Sequence, residues 1–537
     1  MAQNSVKLVS ALLLFSSTVL SAPAVMNPTV TISAGPIIGT AIKPANQPSL
    51  TASANAYLGI PFAKSPPERF SPPESPSPRS SPLQAQAVKP ACIQAFSGSG
   101  QIQALTKELF NNPGGPAPEE SEDCLYLNVY TPPGVTSASK KAVMFWIFGG
   151  NLAFGTGSLG YYDGSPFALT QDVVVVTINY RTNFFGFSNS PEIATGSQNS
   201  GFLDQRFALQ WVQENIAAFG GDPARVTLFG ESAGGESVKQ LLANPPSPLP
   251  FSAAILQSQG SVLVGNGLTN YKKVLSNFGC NDIACLRKVE ATAIKSYIEA
   301  ESLAFPPVNA DGTSDDDVRS SILSRKFANV PTFFGTNLNE GRIFLAVLGL
   351  NNGTAAVESV FASLNITDPN IKSGILAAYA AQGLDDLYVV ADRIVTDLVF
   401  TCSASTLTGF LALNGYTTYR YRYDASFPTT STFANSGAYH SSEIPSVFGT
   451  YPTSNQFGSA TPQQIALSAF MQETWAGFAK NPSGGVGWVK VGTPFKNELG
   501  LLGSNGSSAV EVVSSLVADY PCPVYAPIGT LLKFNYK

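Results

Sequence analysis

The chain has 537 residues, 44% hydrophobic and only 12% charged, which excludes a disordered, strongly solvated polymer. Its 36 acidic and 31 basic residues leave a net charge of −5, which argues against a nucleic-acid partner, because phosphate binding needs a surplus of Lys and Arg. There is one histidine, His440, so no mechanism can use two imidazoles and no multi-histidine metal site can form.

The N-terminus reads as a secretory signal peptide, residues 1–24. A short start with Lys7 precedes the apolar run Leu8 to Leu20, and the small residues Ser21, Ala22 and Ala24 follow. Cleavage after Ser21 or Ala24 suits this pattern. A signal anchor is the alternative, but the run is too short for a membrane span and no other segment reads as one. Residues 25–537 read as a single domain. The length alone allows about three or four, but there is no internal repeat, and Ser65 to Pro82 reads as an irregular Pro/Ser-rich surface loop rather than a linker. Six cysteines, Cys92, Cys124, Cys280, Cys285, Cys402 and Cys522, fit export to an oxidising compartment, and six allow 15 pairings. No Cys-x-x-Cys pair occurs, so no metal is expected. Sequons at Asn352, Asn365 and Asn505 are compatible with surface glycosylation.

In chain order, Ala142 to Phe148 and Val173 to Asn179 are unbroken apolar, β-branched and aromatic runs, which predicts strands buried on both faces. Val226–Phe229, Ala253–Leu256, Thr332–Phe334 and Thr417–Tyr423 predict further strands. Helical patterns fall between them over 202–219 and from Pro462, with Thr461 as cap, to Asn481-Pro482. Strands alternating with helices imply an α/β fold: a large, mostly parallel sheet with helices on both faces.

Gly230-Glu231-Ser232-Ala233-Gly234 matches G-x-S-x-G. The pattern alone is weak, but here a strand runs into it and a helical segment, Ala233 to Leu242, leaves it. A serine on such a turn projects its Oγ outward, and the Ala233 amide at the helix start suits a developing oxyanion. Serine needs a base, and only His440 supplies an imidazole. The imidazole needs an acid. Glu340, just past a strand, is a candidate, one of many carboxylates on spacing alone. The order Ser, acid, His is that of α/β-hydrolases.

Tyr57 to Ala63 with Pro67 to Pro73, Glu122-Asp-Cys124-Leu-Tyr-Leu-Asn128, and Asp204 to Asp222 leading into Gly230 to Gly235 together resemble the type-B carboxylesterase/lipase family, which includes cholinesterases and fungal lipases. The resemblance covers almost the whole mature chain and implies the α/β-hydrolase fold. It places Ser232, Glu340 and His440 at the catalytic triad. It also implies the disulfides Cys92–Cys124, Cys280–Cys285 and Cys402–Cys522, and structural ion pairs Arg69–Glu122 and Arg181–Asp204. By position the oxyanion donors are the amides of Gly150, Asn151 and Ala233. Most members carry a third glycine where this chain has Asn151, and asparagine tolerates positive φ better than other non-glycine residues.

The expected activity is therefore that of a secreted serine carboxylic ester hydrolase working through an acyl-enzyme, without cofactor or metal, on a small-molecule or lipid ester. Ile102, Leu105 and Leu109, with Phe110, form a helical apolar stripe between Cys92 and Cys124. In related lipases this loop is a lid. It reads equally as a helix packed on the body, and contact with a lipid interface, without stable membrane insertion, follows from the first reading. Cholinesterases carry a choline-stacking Trp in this loop. The four Trp here are Trp146, Trp211, Trp475 and Trp488, so choline esters are not expected. The alternatives are a true lipase or sterol esterase on long-chain esters and, remotely, a non-catalytic cholinesterase-like adhesion module, which typically lacks the Ser or His that this chain keeps.

Overall fold

The computed structural model describes residues 27–525 apart from 48–49, 99, 114, 261–265, 351, 365 and 493–497. The expected signal peptide and the sequon at Asn365 lie outside the described residues, whereas Asn352 and Asn505 are exposed.

The apolar runs become the middle of an 11-stranded sheet. Its strands are β1 (Thr40–Ile42), β2 (Ala54–Pro61), β3 (Tyr126–Thr131), β4 (Lys141–Ile147), β5 (Val174–Ile178), β6 (Gly221–Glu231), β7 (Ala253–Gln257), β8 (Thr332–Asn337), β9 (Thr418–Tyr423), β10 (Leu499–Leu502) and β11 (Val510–Val513). The spatial order is β1-β2-β3-β5-β4-β6-β7-β8-β9-β10-β11. Pairing is antiparallel from β1 to β5, parallel from β5 through β10, and antiparallel again to β11. This is the sheet of an α/β-hydrolase. Every residue of β5, β7 and β8 is buried, because helices cover the parallel centre and leave no polar face.

The helices that bear on the site are α1 (Gln101–Phe110), α2 (Ser200–Asn215), α3 (Ala233–Ala243), α4 (Gly341–Val347), α5 (Leu387–Val395), α6 (Cys402–Leu413) and α7 (Pro462–Lys480). The expected helix over 202–219 is α2 followed by a 3₁₀ turn, Ile216–Phe219. Thr461 caps α7, its Oγ1 accepting the Gln464 amide at 3.1 Å. Ser65 to Pro82 contains neither helix nor strand.

One expectation is corrected. A π-helical turn, Thr396–Thr401, joins α5 to α6, and the resulting rod over 387–413 is long and apolar enough to cross a membrane by length and composition. Its most apolar window is 61% buried within the protein. Val390, Ile394 and Leu398 belong there to a second apolar cluster with Phe361, Ile375 and Tyr379, so packing within the protein accounts for the composition.

The six cysteines form three bonded pairs, Cys92–Cys124, Cys280–Cys285 and Cys402–Cys522. Arg181 meets Asp204 through two side-chain hydrogen bonds, Nε to Oδ2 at 2.8 Å and NH2 to Oδ1 at 2.7 Å. Arg69 meets Glu122 in the same forked way. The Arg181 pair is almost fully buried. Breaking it would strand a charge, so its role is architectural.

Candidate active site

β6 ends at Glu231 and α3 begins at Ala233, which leaves Ser232 to make the whole turn. Its φ of 57° and ψ of −123° are strained for a residue with a Cβ. Neighbouring glycines make the strain tolerable. A Cβ on Gly234 would lie 2.0 Å from the Ile147 carbonyl oxygen, and one on Gly230 would lie 2.7 Å from Gly234. The elbow therefore closes only with those side chains absent.

His440 lies in the loop after β9, and Glu340 lies just beyond β8. His440 Nδ1 is 2.7 Å from Glu340 Oε2. The other Glu340 oxygen, Oε1, accepts from Ser258 Oγ at 2.6 Å and from the Asn337 amide at 2.7 Å. Both residues of the pair are buried, and the imidazole packs against the rings of Phe400 and Phe344, at centroid distances of 4.8 and 5.3 Å. Ser232 and His440 line one cavity of about 310 Å³ together with Gly149, Gly150, Asn151 and Glu231. The remaining wall is mainly apolar and aromatic, including Leu109, Phe110, Phe154, Leu159, Phe344 and Val347.

The Gly149 turn enters the cavity from the end of β4. A Cβ on Gly149 would lie 2.9 Å from Ser232 Cβ, so glycine lets this loop reach the serine. Asn151 sits at φ 55°, in the left-handed region. No backbone hydrogen bond from the Gly150 or Asn151 amide to the described residues is formed, and the Ala233 amide, first in α3, has no partner in its own helix. Gly150 and Asn151 line the cavity, and Ala233 follows Ser232 directly at the start of α3.

Sequence reasoning gave no role to a second layer of buried polar groups. His440 Nε2 is 3.2 Å from Glu231 Oε1, and Ser441 Oγ donates to that same oxygen at 2.6 Å. Glu443 accepts from Gln257 Nε2 at 3.1 Å and from Asn337 Nδ2 at 2.6 Å. The usable signal was positional: Gln257, Ser258 and Asn337 are polar residues at the carboxyl ends of buried strands, where sites collect in such sheets.

Three carboxyl groups around one imidazole set the electrostatics. Burial works to lower the His440 pKa, but Glu231, Glu340 and Glu443 outweigh it and raise it to about 9. Burial raises Glu443 to about 8, and repulsion from Glu231 and Glu340 adds to this. Glu231 is also raised, by burial first, with His440 opposing. The carboxyl groups on either side of the ring, Glu340 at Nδ1 and Glu231 at Nε2, thus favour the imidazolium over the neutral ring.

The Carboxylesterase family profile matches residues 26–505. The chain is 34% identical to mouse carboxylesterase 1D over 501 residues, covering 85% of this chain and 86% of that protein. It is 33% identical to human cocaine esterase, over 85% and 84% of the two chains, and 33% identical to pig liver carboxylesterase, over 80% and 81%. With this sheet, this elbow and these relatives, the chain belongs to the carboxylesterase family and is a carboxylic ester hydrolase.

Proposed function

We propose that Ser232, His440 and Glu340 are the nucleophile, base and acid of this hydrolase, and that the reaction passes through an acyl-enzyme. The observation that carries the reading is the short Glu340–His440 contact, 2.7 Å, made by a histidine that lines the same cavity as the strained Ser232. Glu340 fixes the Nδ1–H tautomer and stabilises the imidazolium. Nε2 takes the Ser232 proton as Oγ attacks the ester carbonyl, and returns it to the departing alcohol. The amides of Gly150, Asn151 and Ala233 hold the oxyanion. Water then repeats the sequence on the acyl-enzyme. An organophosphonate should label Ser232 alone, and Ser232→Ala should abolish turnover while folding normally. Undiminished turnover in that variant would overturn the assignment.

The substrate reading is a small ester with an apolar body, which suits a mainly apolar and aromatic cavity of about 310 Å³. Residues 25–537 would act as one secreted domain after removal of residues 1–24, with its disulfides formed in an oxidising compartment. A second reading, a lipase with a moving lid, is favoured by one observation: Thr106, Leu109 and Phe110 of α1 line the cavity. Leu109 packs there with Ile343 and Tyr439, and Leu105 and Phe110 rest on the same cluster. A lipid surface would accept that stripe if α1 lifts.

A further inference from the structure

We propose that Asp392 is a positioning residue that holds the Glu340 turn and the His440 loop in register; this rests on the triad reading above. Asp392 lies on α5, is fully buried, and touches neither the cavity nor the imidazole. Its Oδ1 accepts from the Gly341 amide at 3.1 Å and from Thr396 Oγ1 at 3.0 Å. Its Oδ2 accepts from Asn339 Nδ2 at 2.9 Å and from Arg342 Nε at 3.1 Å. Three of those donors belong to residues 339, 341 and 342, so the carboxylate grips the turn on both sides of Glu340.

The same donors reach the histidine loop. The Asn339 amide donates to the Ala438 carbonyl at 3.0 Å, and Asn339 Oδ1 accepts the Ala438 amide at 3.2 Å. Arg342 NH1 donates to the Asn435 carbonyl at 2.7 Å. Asp392 therefore orients the two side chains that tie the acid's turn to the segment just before His440. The rod it stands on also presents Phe400 to the imidazole.

The chemistry requires a carboxylate. Four donors converge on two oxygens, and an asparagine has one acceptor oxygen and one NH₂. With its NH₂ toward Asn339 and Arg342 both donors lose their acceptor, and turned the other way it faces the Gly341 N–H, which then keeps only Thr396 Oγ1 at 3.1 Å. The turn should shift by a fraction of an ångström, enough to loosen a proton relay without unfolding the protein.

The test is Asp392→Asn beside Asp397→Asn. Asp397 is equally buried and is held by Arg393 at 3.0 Å and Tyr379 at 2.8 Å; it bonds none of residues 339–342, and its one link to that segment is indirect and long, Arg393 donating to the Leu338 carbonyl at 3.3 Å. Both variants should lose stability. Only Asp392→Asn should lower kcat, by roughly tenfold to a hundredfold, with KM within about twofold. Its acid limb in kcat/KM should also move to lower pH, because Glu340 no longer supports the imidazolium while Glu231 and Glu443 still face it. Asn339→Ala, which removes the side-chain bond to Ala438 and to Asp392 but leaves the backbone bond, should give the same signature in milder form and serves if Asp392→Asn does not fold. A kcat and pH limb like wild type in Asp392→Asn, or in Asn339→Ala where that variant stands in, would overturn the proposal, and so would an equal shift in Asp397→Asn. Glu340→Gln and His440→Ala run in parallel: if they keep their activity, the triad reading itself is wrong.

Discussion

At the scale of single residues, the site is an imidazole whose protonation is set by its neighbours. His440 must be neutral to accept the Ser232 proton, so activity should rise with pH through its apparent pKa. That pKa is raised to about 9, burial opposing and the three carboxylates prevailing, which places the acid limb of kcat/KM above the ordinary histidine range near 6.5. Glu231→Gln removes the carboxylate 3.2 Å from Nε2, and should move that limb to lower pH with the protein still folded. A limb that stays in place would show that Glu231 does not hold the imidazolium. Asn151 supports a second prediction. At φ 55° it occupies a conformation that glycine adopts freely and β-branched residues resist. Asn151→Gly should keep kcat within about threefold, whereas Asn151→Val should lower it by roughly a hundredfold, the scale of losing one oxyanion donor. Equal rates in the two variants would mean that this amide is not a donor.

At the scale of elements, what could be read in advance followed from burial. β4 and β5 carry unbroken apolar runs that only a doubly covered strand tolerates, and the elbow was legible because a strand, a small-residue turn and a helix met at Ser232. The strands β2 and β3 and the helices between Glu340 and Cys402 were not, since their patterns resolve only against neighbours distant in sequence. Ser258, Glu443 and Asp392 escaped for the same reason: a buried polar residue acquires its role from partners that no local spacing displays. The apolar stripe of α1 is the element whose behaviour decides between esterase and lipase. It lies against α4 and lines the cavity, and exposing it would cost roughly 25 cal/mol per Å². A micellar substrate would remove that cost by covering the stripe. Modest activation above the micelle threshold is expected with long-chain esters, and it should vanish in Leu105→Ser/Leu109→Ser while short-chain turnover persists. Smooth saturation through the threshold in both proteins would favour a fixed helix.

At the scale of the whole molecule, stability and chemistry share the same buried charges. Folding raises His440 from 6.5 to about 9 and Glu443 from 4.5 to about 8. The folded state therefore binds more protons than the unfolded chain across that interval. The His440 contribution is complete below about pH 6.5 and is lost as pH rises through about 9; that of Glu443 is complete below about 4.5 and is lost through about 8. A denaturation midpoint should accordingly be lower at pH 9 than at pH 6, and an unchanged or higher midpoint would contradict this charge arrangement. The Cys402–Cys522 bridge spans 120 residues and fastens the rod that carries Asp392 and Phe400 to the C-terminal segment. Replacing both cysteines with alanine should cost up to about 4–5 kcal/mol in the chain-entropy view, read from the same denaturation curves. The central claim, that Ser232 is the nucleophile activated by His440, is tested most directly by the rate of covalent labelling with an organophosphonate, the modified peptide being identified by mass spectrometry. The account predicts one label per chain, on Ser232, with labelling slowed by orders of magnitude in His440→Ala. Labelling of a different serine, or an unchanged rate without the imidazole, would contradict it.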